Sequence, residues 1–455
     1  MSDDLRRIYN HCDPYKPAAD DFYLDCSAAR GGGMLSQEFI RRLQLADDHL
    51  SFLFAGHIGC GKSSELAELS RRLEQPPYGQ PPYFPVVIDT NEYLDYYDAD
   101  TTDIILAIVT ELAAALRDRL GIELYDNYFL RRINEVKKFF LSEVEIAEGE
   151  LPLWAAKVKV SRLKRDPDAR HQVRTALAPK MSSMLDEINM VFEQARSELR
   201  KKLVSSDAST LPDFVIILDN LEKIRRFGGR EEGLDSQREL FVERYSQLAG
   251  LAAHCIFTLP LRLVRSTDGP QLAQRYDGDP FVLPMIKVCE RATRRPFQLG
   301  LDQLQELLRK RVSPCSIEDV FDADALDFLL AYSGGQTRGL LTFVQSACAY
   351  SQQLPIRLQA VHRAAQQAVR TYSTSIPHHH WQKLAELDMS EYRYIPGGDP
   401  DFLAMLENLS VLEYINGGEG DPFAAAEPWY AVNPIVRELG QFKAARSSLS
   451  KVKSP

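Results

Sequence analysis

Short apolar runs alternate with longer stretches of helical spacing along the first half of the chain. The run at residues 50–55 (LSFLFA) ends in a glycine-rich turn, and leucines then recur every three or four residues. These leucines are Leu66, Leu69 and Leu73. This order predicts a strand, a loop and a helix.

Four further apolar runs have the length of strands. They are residues 84–88, 214–218, 255–259 and 281–288. Because each is short and almost continuously apolar, they predict buried strands and an α/β fold. The helix after the first of these runs is expected to begin near Asp103, a suitable N-cap residue. Four acidic residues precede or occupy that position, and we interpret them as a solvated or partner-facing loop: Asp95, Asp98, Asp100 and Asp103.

Residues 127–210 follow a different pattern. Apolar side chains recur along one face of a long predicted helix, namely Met181, Met184, Ile188, Phe192, Ala195, Leu199 and Leu203. Residues 127–144 also have helical spacing, whereas residues 145–165 indicate an irregular or hairpin segment. Residues 157–202 carry twelve Lys+Arg and six Asp+Glu, a local charge of +6. We interpret residues 127–210 as a helical insertion.

The last third of the chain is first helical and then mixed. Between residues 299 and 372 the apolar residues show helical spacing and no strand-like run. Helices continue from residue 380 and are followed by two strand-like runs, Val411 to Ile415 and Trp429 to Val432, on either side of a glycine-containing turn. Helices followed by such a hairpin predict a small winged-helix module. The polar tail, residues 446–455, is expected to be disordered.

Composition fits a folded protein and excludes several classes. Hydrophobic residues make up 45% of the 455 residues and charged residues 26%, which excludes a wholly disordered chain. The net charge of −10 gives no support for bulk nucleic-acid binding. No apolar run approaches the length of a membrane span. The seven scattered cysteines lack a CxxC pair, and the first residues lack a secretory signal, so we expect a cytoplasmic protein.

A phosphate-binding loop stands between the first predicted strand and helix. Residues 56–63 read GHIGCGKS, which matches GxxxxGK[ST]. The glycines let backbone N–H groups turn toward phosphate oxygens, Lys62 can reach the β- and γ-phosphates, and Ser63 can offer a hydroxyl to Mg²⁺. The residues expected to bind the nucleotide are Gly56, His57, Ile58, Gly59, Cys60, Gly61, Lys62, Ser63 and Ser64.

An acidic residue follows the apolar run FVIIL. Asp219 is expected at the sheet's carboxyl edge, where it would hold Mg²⁺ together with Ser63. Many related ATPases have a second carboxylate directly after this acid, but here Asn220 occupies that position. Glu222 is the nearby carboxylate that would polarise the attacking water. The alternative is that Glu222 only pairs with Lys223 or Arg226.

These motifs together resemble a known division of proteins. The phosphate loop, the sequence DNLEK at residues 219–223 and GGQTR at residues 334–338 resemble AAA+/STAND (ASCE) P-loop ATPases. Within that division the chain looks most like KAP-like and Orc/Cdc6-like bacterial ATPases, over roughly residues 20–350. The resemblance implies a five-stranded parallel sheet, a helical lid, often a winged helix, and ATP with Mg²⁺ as cofactors.

The resemblance also implies roles for further residues. Thr258, at the end of CIFTL, corresponds to a polar sensor of the γ-phosphate or the water, and Arg338 to a second sensor on the lid. Arg275 lies where an arginine supplied to a neighbouring subunit would stand, with Arg262 and Arg265 as competitors. Arg30 is placed near the nucleotide base.

Pattern and resemblance give one domain plan. It comprises a lead-in (1–49), a P-loop ATPase core (50–295) with the helical insertion, a helical lid (296–375), a winged-helix-like domain (376–445) and the tail (446–455). Two other signals are discounted. Three adjacent histidines, 378–380, cannot all face one metal ion, and no acid follows them at ligand spacing. Acidic residues around the predicted hairpin disfavour DNA contact there.

The expected function is an ATPase that uses ATP and Mg²⁺ to change conformation or assemble homo-oligomers and acts on a partner protein. By resemblance alone, an anti-phage defence system is the expected setting. Two alternatives stay open. One is a nucleic-acid-binding ATPase similar to Orc/Cdc6, and the other is a nucleotide-gated scaffold with little hydrolysis, because Asn220 replaces the usual base.

Overall fold

The computed structural model describes residues 3–75 except 19, 83–124, 161–203 except 162, 178 and 180, 212–224, 234–390, 397–416 and 427–453. The strands are β1 (Ser51–Gly56), β2 (Phe84–Asp89), β3 (Phe214–Asp219), β4 (His254–Pro260), β5 (Phe281–Leu283), β6 (Val411–Ile415) and β7 (Pro428–Val432). The predictions made for residues 127–160 lie outside the described residues.

The helices before the lid are α1 (Asp3–His11), α2 (Ser27–Arg30), α3 (Leu35–Leu45), α4 (Lys62–Glu74), α5 (Thr101–Leu120), α6 (Pro167–Leu177), α7 (Met181–Leu203), α8 (Leu234–Arg238), α9 (Tyr245–Ala249), α10 (Leu261–Val264) and α11 (Gly269–Arg275). Those that follow are α12 (Gln298–Val312), α13 (Ile317–Val320), α14 (Ala323–Tyr332), α15 (Thr337–Ala349), α16 (Leu358–Ser375), α17 (His380–Met389), α18 (Pro400–Glu407), α19 (Pro434–Arg437) and α20 (Gly440–Lys453). Short 3₁₀ turns (Asp20–Phe22, Thr90–Glu92 and Leu221–Lys223) and a π-helical segment (Glu239–Glu243) complete the described elements.

A parallel five-stranded sheet forms the centre of the molecule. Its strand order is β2-β3-β4-β1-β5. The registers place Asp89 beside Asp219, and Thr258 beside Phe54 of β1. Since β4 lies between β1 and β3, its carboxyl end stands between the phosphate loop and Asp219. The fold is therefore α/β, as the apolar runs predict.

The two faces of the sheet pack against different layers. On one face, alternate strand residues such as Leu53 share a core with α5, α6 and α7. The predicted apolar stripe of α7 lies in this core, and Ile188 and Phe192 are fully buried. On the other face, residues such as Phe52 and Phe54 pack with α3 and α4. The sheet is thus covered on both sides, as parallel sheets are.

Acidic residues before and within α5 pair with the insertion. Arg170 of α6 lies 3.0 Å from carboxylate oxygens of Asp95 and Asp98, and Arg174 pairs with Asp98 and Asp103. The interpretation as a solvated loop is therefore wrong for Asp103, which is 8% exposed, whereas Asp95 and Asp98 keep 31% and 41% exposure while they pair with α6. Asp103 is also not the N-cap. Asp100 caps α5, and Asp103 closes the capping box as its third residue.

The helices from α12 to α16 form a separate core, which also takes in the chain's N-terminal segment. Leu5, Ile8 and Cys12 are buried among lid residues such as Leu308 and Val344. The lead-in is thus packed structure. The domain limits drawn from the sequence remain predictions.

The C-terminal hairpin belongs to two cores at once. Leu412 and Trp429 are fully buried in the cluster that contains β1, whereas Val411 and Val432 face the module's own helices. The alternation of side chains along a strand allows one hairpin to serve both. The helices and hairpin of this winged-helix-like module therefore extend the sheet-containing core.

Two predicted elements differ in extent. The strand predicted over 281–288 ends at Leu283, because Pro284 lacks an N–H and the backbone then turns to other partners: Met285 N–H bonds to Glu413 and Lys287 N–H to Ala29. The tail predicted to be disordered is helical through Lys453, and Leu449 within it packs against the module's core. Among the described residues, no helix is both long and apolar enough to cross a membrane.

Candidate nucleotide-binding site

The phosphate loop folds as its glycines require. Gly56, Gly59 and Gly61 all have positive φ, and α4 begins at Lys62 directly after the loop. The helix N-terminus thus points its free N–H groups into the loop, an arrangement that binds anions. A Cβ added at Gly59 would lie 2.7 Å from Cβ of Arg338, so this position also needs glycine for the lid to approach.

Lys62 is buried and pairs with Glu222. Its ammonium lies 3.1 Å from a Glu222 carboxylate oxygen, and it donates hydrogen bonds to the carbonyl oxygens of Gly56 and His57. Burial alone would raise the pKa of Glu222, but the charge of Lys62 and the hydrogen bonds to the carboxylate together lower that pKa. Burial would likewise lower the pKa of Lys62, but Glu222, with smaller contributions from Cys60 and Asp219, raises it. Both groups are therefore ionised at neutral pH.

Glu222 thus has a different partner from the two considered from sequence. The pair with Lys62 replaces the alternative pair with Lys223, while Arg226 lies outside the described residues. The other oxygen of Glu222 is buried and accepts no hydrogen bond from the described residues. That oxygen can accept a proton or a hydrogen bond from water.

Asp219 and Ser63 meet at the carboxyl end of β3. The Ser63 side chain hydrogen bonds to Asp219, whose pKa is raised, first by burial and then by the charge of Glu222. A hydroxyl and a carboxylate are the hard oxygen ligands that Mg²⁺ prefers. A bound cation would also offset the cost of burying the two acids Asp219 and Glu222 together. This pair therefore fits the predicted Mg²⁺ site.

Thr258 lies between these groups. Its side chain is fully buried, and its hydroxyl donates to Leu218 O at 3.1 Å and accepts the backbone N–H of Leu221 at 2.9 Å. Thr258 consequently fixes the turn that carries Glu222.

The lid touches the loop through the start of α15. Gln336 donates a side-chain hydrogen bond to Ile58 O, and both the Thr337 hydroxyl and the Arg338 backbone N–H bond to Gly59 O. The Arg338 guanidinium bonds to Pro14 O at 3.2 Å and stands over the ring of Tyr15. Arg338 lines the same cleft as Lys62, and its role as a lid sensor remains a prediction.

The candidate trans arginines all have partners within the chain. Arg275 donates to Val242 O and stands over Tyr245. Arg262 pairs with Glu407 at 2.8 Å, and Arg265 forms two hydrogen bonds with Glu413. The role in a neighbouring subunit remains a prediction for Arg275.

Arg30 hydrogen bonds to the backbone of the phosphate loop. Its buried guanidinium donates to Cys60 O at 2.7 Å and to Pro284 O. It therefore joins the loop to the end of β5, and it also lines the cleft, while its place near the base remains a prediction.

His57 links the loop to the C-terminal module. Its Nδ1 lies 3.2 Å from Leu406 O, and its Nε2 accepts the Glu413 backbone N–H at 2.9 Å. Burial lowers the pKa of His57 to about 4, so the ring is neutral. A neutral ring with an acceptor at Nε2 donates from Nδ1, which satisfies both contacts.

Several cleft residues were not found from the sequence. Asp89 lines the cleft and accepts a hydrogen bond from the Asn220 amide at 2.8 Å. The N-terminal segment supplies Tyr15 and Tyr23, and the lid supplies Arg311, whose pKa is lowered by burial. Asp89 has a sequence signal, an acid at the end of an apolar run. The other three lie in elements without a motif.

Comparison with known proteins gives distant likenesses. No protein-family model matches the sequence, and no curated protein matches it. Among solved structures, the Orc1 protein of Aeropyrum pernix in complex with DNA is similar at 12% identity and a TM-score of 0.37, over 95% of this chain and 97% of that one. Cdc6p from Pyrobaculum aerophilum is similar at 12% identity and a TM-score of 0.35, over 94% and 99%.

Neither likeness establishes function at such TM-scores, so the chemistry has to be inferred from this chain's own residues. The parallel sheet, the loop between β1 and α4 and the acid at the end of β3 define a P-loop nucleotide-binding fold with a helical lid and a winged-helix-like module.

Proposed function

We propose that the chain is an AAA+/STAND-type ATPase that binds ATP with Mg²⁺ and hydrolyses it slowly. The observation that carries the proposal is the meeting of Lys62, Ser63, Asp219, Glu222 and Arg338 at one cleft beside a glycine-rich loop. Lys62 suits charge neutralisation, and Glu222 suits activation of water. Ser63 and Asp219 suit metal binding, and Arg338 suits sensing by the lid.

The Lys62–Glu222 pair suggests how the reaction is controlled. To bind a γ-phosphate, Lys62 must exchange the carboxylate for phosphate oxygens, which leaves Glu222 free. Glu222 then accepts the proton of the water that attacks the γ-phosphorus as the bond to ADP breaks. Mg²⁺, held by Ser63 and Asp219, would neutralise charge on the phosphates. Until nucleotide binds, Lys62 thus holds the Glu222 carboxylate in the ion pair, where it does not act as the base.

Phosphate release from ATP and Mg²⁺ tests the proposal. We expect slow release by the wild type and none by Lys62→Ala. Lys201→Ala is the matched control, because Lys201 is an exposed lysine on α7 that pairs with Glu198 at 2.6 Å. Equal release from Lys62→Ala and wild type would contradict the proposal. ATP binding without release would favour the nucleotide-gated scaffold.

We further propose that nucleotide state acts on homo-oligomer assembly and on a partner protein. The direct contacts from the lid and from the C-terminal module to the loop support this, because a change at the loop reaches both. Particle size measured by light scattering with and without ATP tests assembly. The anti-phage setting rests on resemblance alone, and plating of phage on cells that carry wild type or Lys62→Ala tests it.

A nucleic-acid-binding ATPase is the second candidate, and one cluster favours it. The guanidiniums of Arg294, Arg437 and Arg446 surround the single buried carboxylate of Asp388. Three cations on one anion leave positive charge on the outside of the module, which suits phosphate groups. Helix α18, which precedes the hairpin, packs against α10 of the core. The arginine cluster, and not α18, is therefore the surface of the module that we consider for DNA.

DNA added to the phosphate-release assay separates the two candidates. Several-fold stimulation that falls steeply with salt would favour nucleic acid, and Arg446→Ala should then reduce it. Release that ignores DNA would favour the partner-protein function. Arg309→Ala is a matched control, because Arg309 is an exposed arginine on α12 paired with Glu306.

A further inference from the structure

The histidine run at residues 378–380 meets an acid that the sequence places far away. Nε2 of His379 lies 3.3 Å from Oδ1 of Asp401, and Nε2 of His380 lies 3.5 Å from the same oxygen. His379 and His380 stand at the start of α17, and Asp401 stands in the first turn of α18. The two helices therefore bring two imidazole nitrogens and one carboxylate oxygen together.

Two of the three separations among these atoms are those of ligands around one zinc ion, and all three atoms lie within 4.8 Å of one another. Zinc binds histidine nitrogen and carboxylate oxygen at about 2.0–2.2 Å, and tetrahedral geometry then separates two ligand atoms by about 3.3–3.5 Å. The two measured distances to Oδ1 of Asp401 fall within this interval. Two of the three adjacent histidines thus do face one point, since the turn before α17 and its first residue project their rings toward α18.

The ligand atoms are held in position before any ion binds. The His380 side chain is only 3% exposed, so packing fixes its ring. Lys383 lies 2.8 Å from Oδ2 of Asp401 and 3.0 Å from Asp399, which leaves Oδ1 turned toward the histidines. A hydrogen-bonded carboxylate of this kind is typical of the groups that orient metal ligands.

We propose that His379, His380 and Asp401 form a zinc-binding site with one coordination position open to solvent. Three protein ligands leave one position of a tetrahedral ion for water. His379, which is 65% exposed, lies on the outer side of the cluster, where solvent can reach that position. Nitrogen and oxygen ligands of this number suit Zn²⁺ better than Mg²⁺ or Ca²⁺, which favour all-oxygen sites. The ion joins the starts of α17 and α18.

The position of the site gives zinc a structural consequence. The far end of α18 carries Leu406 and Glu407, which contact His57 of the phosphate loop and Arg262 of α10. Zinc therefore braces the helix that packs beside the loop. The inference does not depend on nucleotide binding, because its three ligands lie outside the nucleotide cleft.

Titration of the full-length, chelator-treated protein with Co²⁺, followed by displacement with Zn²⁺, tests the site. The visible absorption of nitrogen-bound Co²⁺ and the unfolding temperature with Zn²⁺ are both measured. We expect wild type to bind one equivalent that His379→Gln and Asp401→Asn bind at least tenfold more weakly. Zn²⁺ should raise the unfolding temperature of the wild type more than that of either variant.

His378→Gln is the matched control, because His378 is the exposed neighbour that the proposal leaves out. It should bind Co²⁺ and respond to Zn²⁺ as the wild type does. Because His379 is exposed, His379→Gln is expected to fold even if Asp401→Asn does not. Identical stoichiometry, affinity and thermal response in wild type, His379→Gln and His378→Gln would overturn the proposal. Zn²⁺ bound by the cysteines or by Asp219 would give that result.

Discussion

Lys62 of the phosphate loop and Glu222 after β3 form a buried ion pair, with nitrogen and oxygen 3.1 Å apart. The pair joins the group that would bind phosphate to the group that would activate water. Because each neutralises the other, neither is available for chemistry while the pair persists. Nucleotide has to compete with an internal carboxylate for Lys62.

Replacement of Glu222 by Gln tests this competition. Gln keeps the shape but removes the charge, so we expect ATP to bind about tenfold more tightly, or ~1.4 kcal/mol. Loss of the base should lower phosphate release by about 100-fold or more, and any ATP-dependent oligomer should persist. Calorimetric titration and phosphate release measure the two effects.

The control for that variant is Glu198→Gln, which removes an exposed carboxylate paired with Lys201 on α7. It should leave both quantities unchanged. If Glu222→Gln releases phosphate as fast as the wild type, Glu222 is not the base.

The buried hydroxyl of Thr258 predicts a second result. Thr258→Val leaves the Leu221 N–H without its acceptor, so the free energy of unfolding should fall by about 1–3 kcal/mol. Phosphate release should fall as well, because the turn that carries Glu222 loosens. Urea unfolding and the release assay check both effects, and Thr258→Ser should restore them.

Thr110→Val is the matched comparison. Thr110 is also fully buried, but its hydroxyl bonds only to carbonyl oxygens within α5, Leu106 O and Ala107 O. No N–H loses its acceptor in Thr110→Val, so this variant should lower the free energy of unfolding by less than Thr258→Val does. Equal destabilisation by the two valines would contradict the account of Thr258.

His57 predicts a dependence of stability on pH. Its pKa in the folded protein is about 4, below the ordinary 6.5, because the ring is buried. Between these values the unfolded chain binds the proton more readily, so stability falls as pH drops from 6.5 to about 4, by roughly 3 kcal/mol in total. Glu413, Lys62 and Arg265 are the charged groups that face the ring.

The difference in the free energy of unfolding between wild type and His57→Gln isolates the contribution of His57. The pKa of His254 is also lowered to about 4 by burial, but His254 titrates in both proteins and cancels. Urea unfolding at several pH values should show a steeper loss in the wild type below pH 6.5. Parallel curves for the two proteins would show that His57 does not titrate as described.

The contacts between core and module predict unequal effects of two arginines. Arg265→Ala leaves the fully buried Glu413 without its partner, which should cost about 3–5 kcal/mol of unfolding free energy. Arg262→Ala removes a pair whose Glu407 is 27% exposed, so we expect a smaller loss, about 1 kcal/mol. Thermal and urea unfolding measure both, and Glu413→Gln added to Arg265→Ala should recover part of the loss. Equal effects would contradict the difference in burial.

Much of the core could be predicted from the sequence because its signals are local. The runs that became β1 to β4 are short and apolar, and GxxxxGK[ST] fixes the loop within eight consecutive residues. Local sequence also places Asp219 at the end of its strand. Two predicted extents were wrong: Pro284 lacks an N–H and ends β5, and packing of Leu449 against the module accompanies a helix where the polar tail predicts disorder.

The remaining parts depend on contacts between distant residues. Nothing near Lys62 in sequence indicates Glu222 as its partner, and nothing near the histidine run indicates Asp401. The bonds of His57 to Leu406 and Glu413 likewise join the loop to a module at the other end of the chain. A single sequence without tertiary contacts does not contain these pairings.

The burial of Leu412 and Trp429 beside β1 also bears on how the chain is made. The strand that leads into the phosphate loop is synthesised well before β6 and β7, which supply part of the apolar layer over it. Until then one face of the nascent sheet remains uncovered, and exposed surface of this kind favours aggregation. We expect chaperones to bind this face of the growing chain, and a chain that stops before residue 411 to lack part of the packing beside β1.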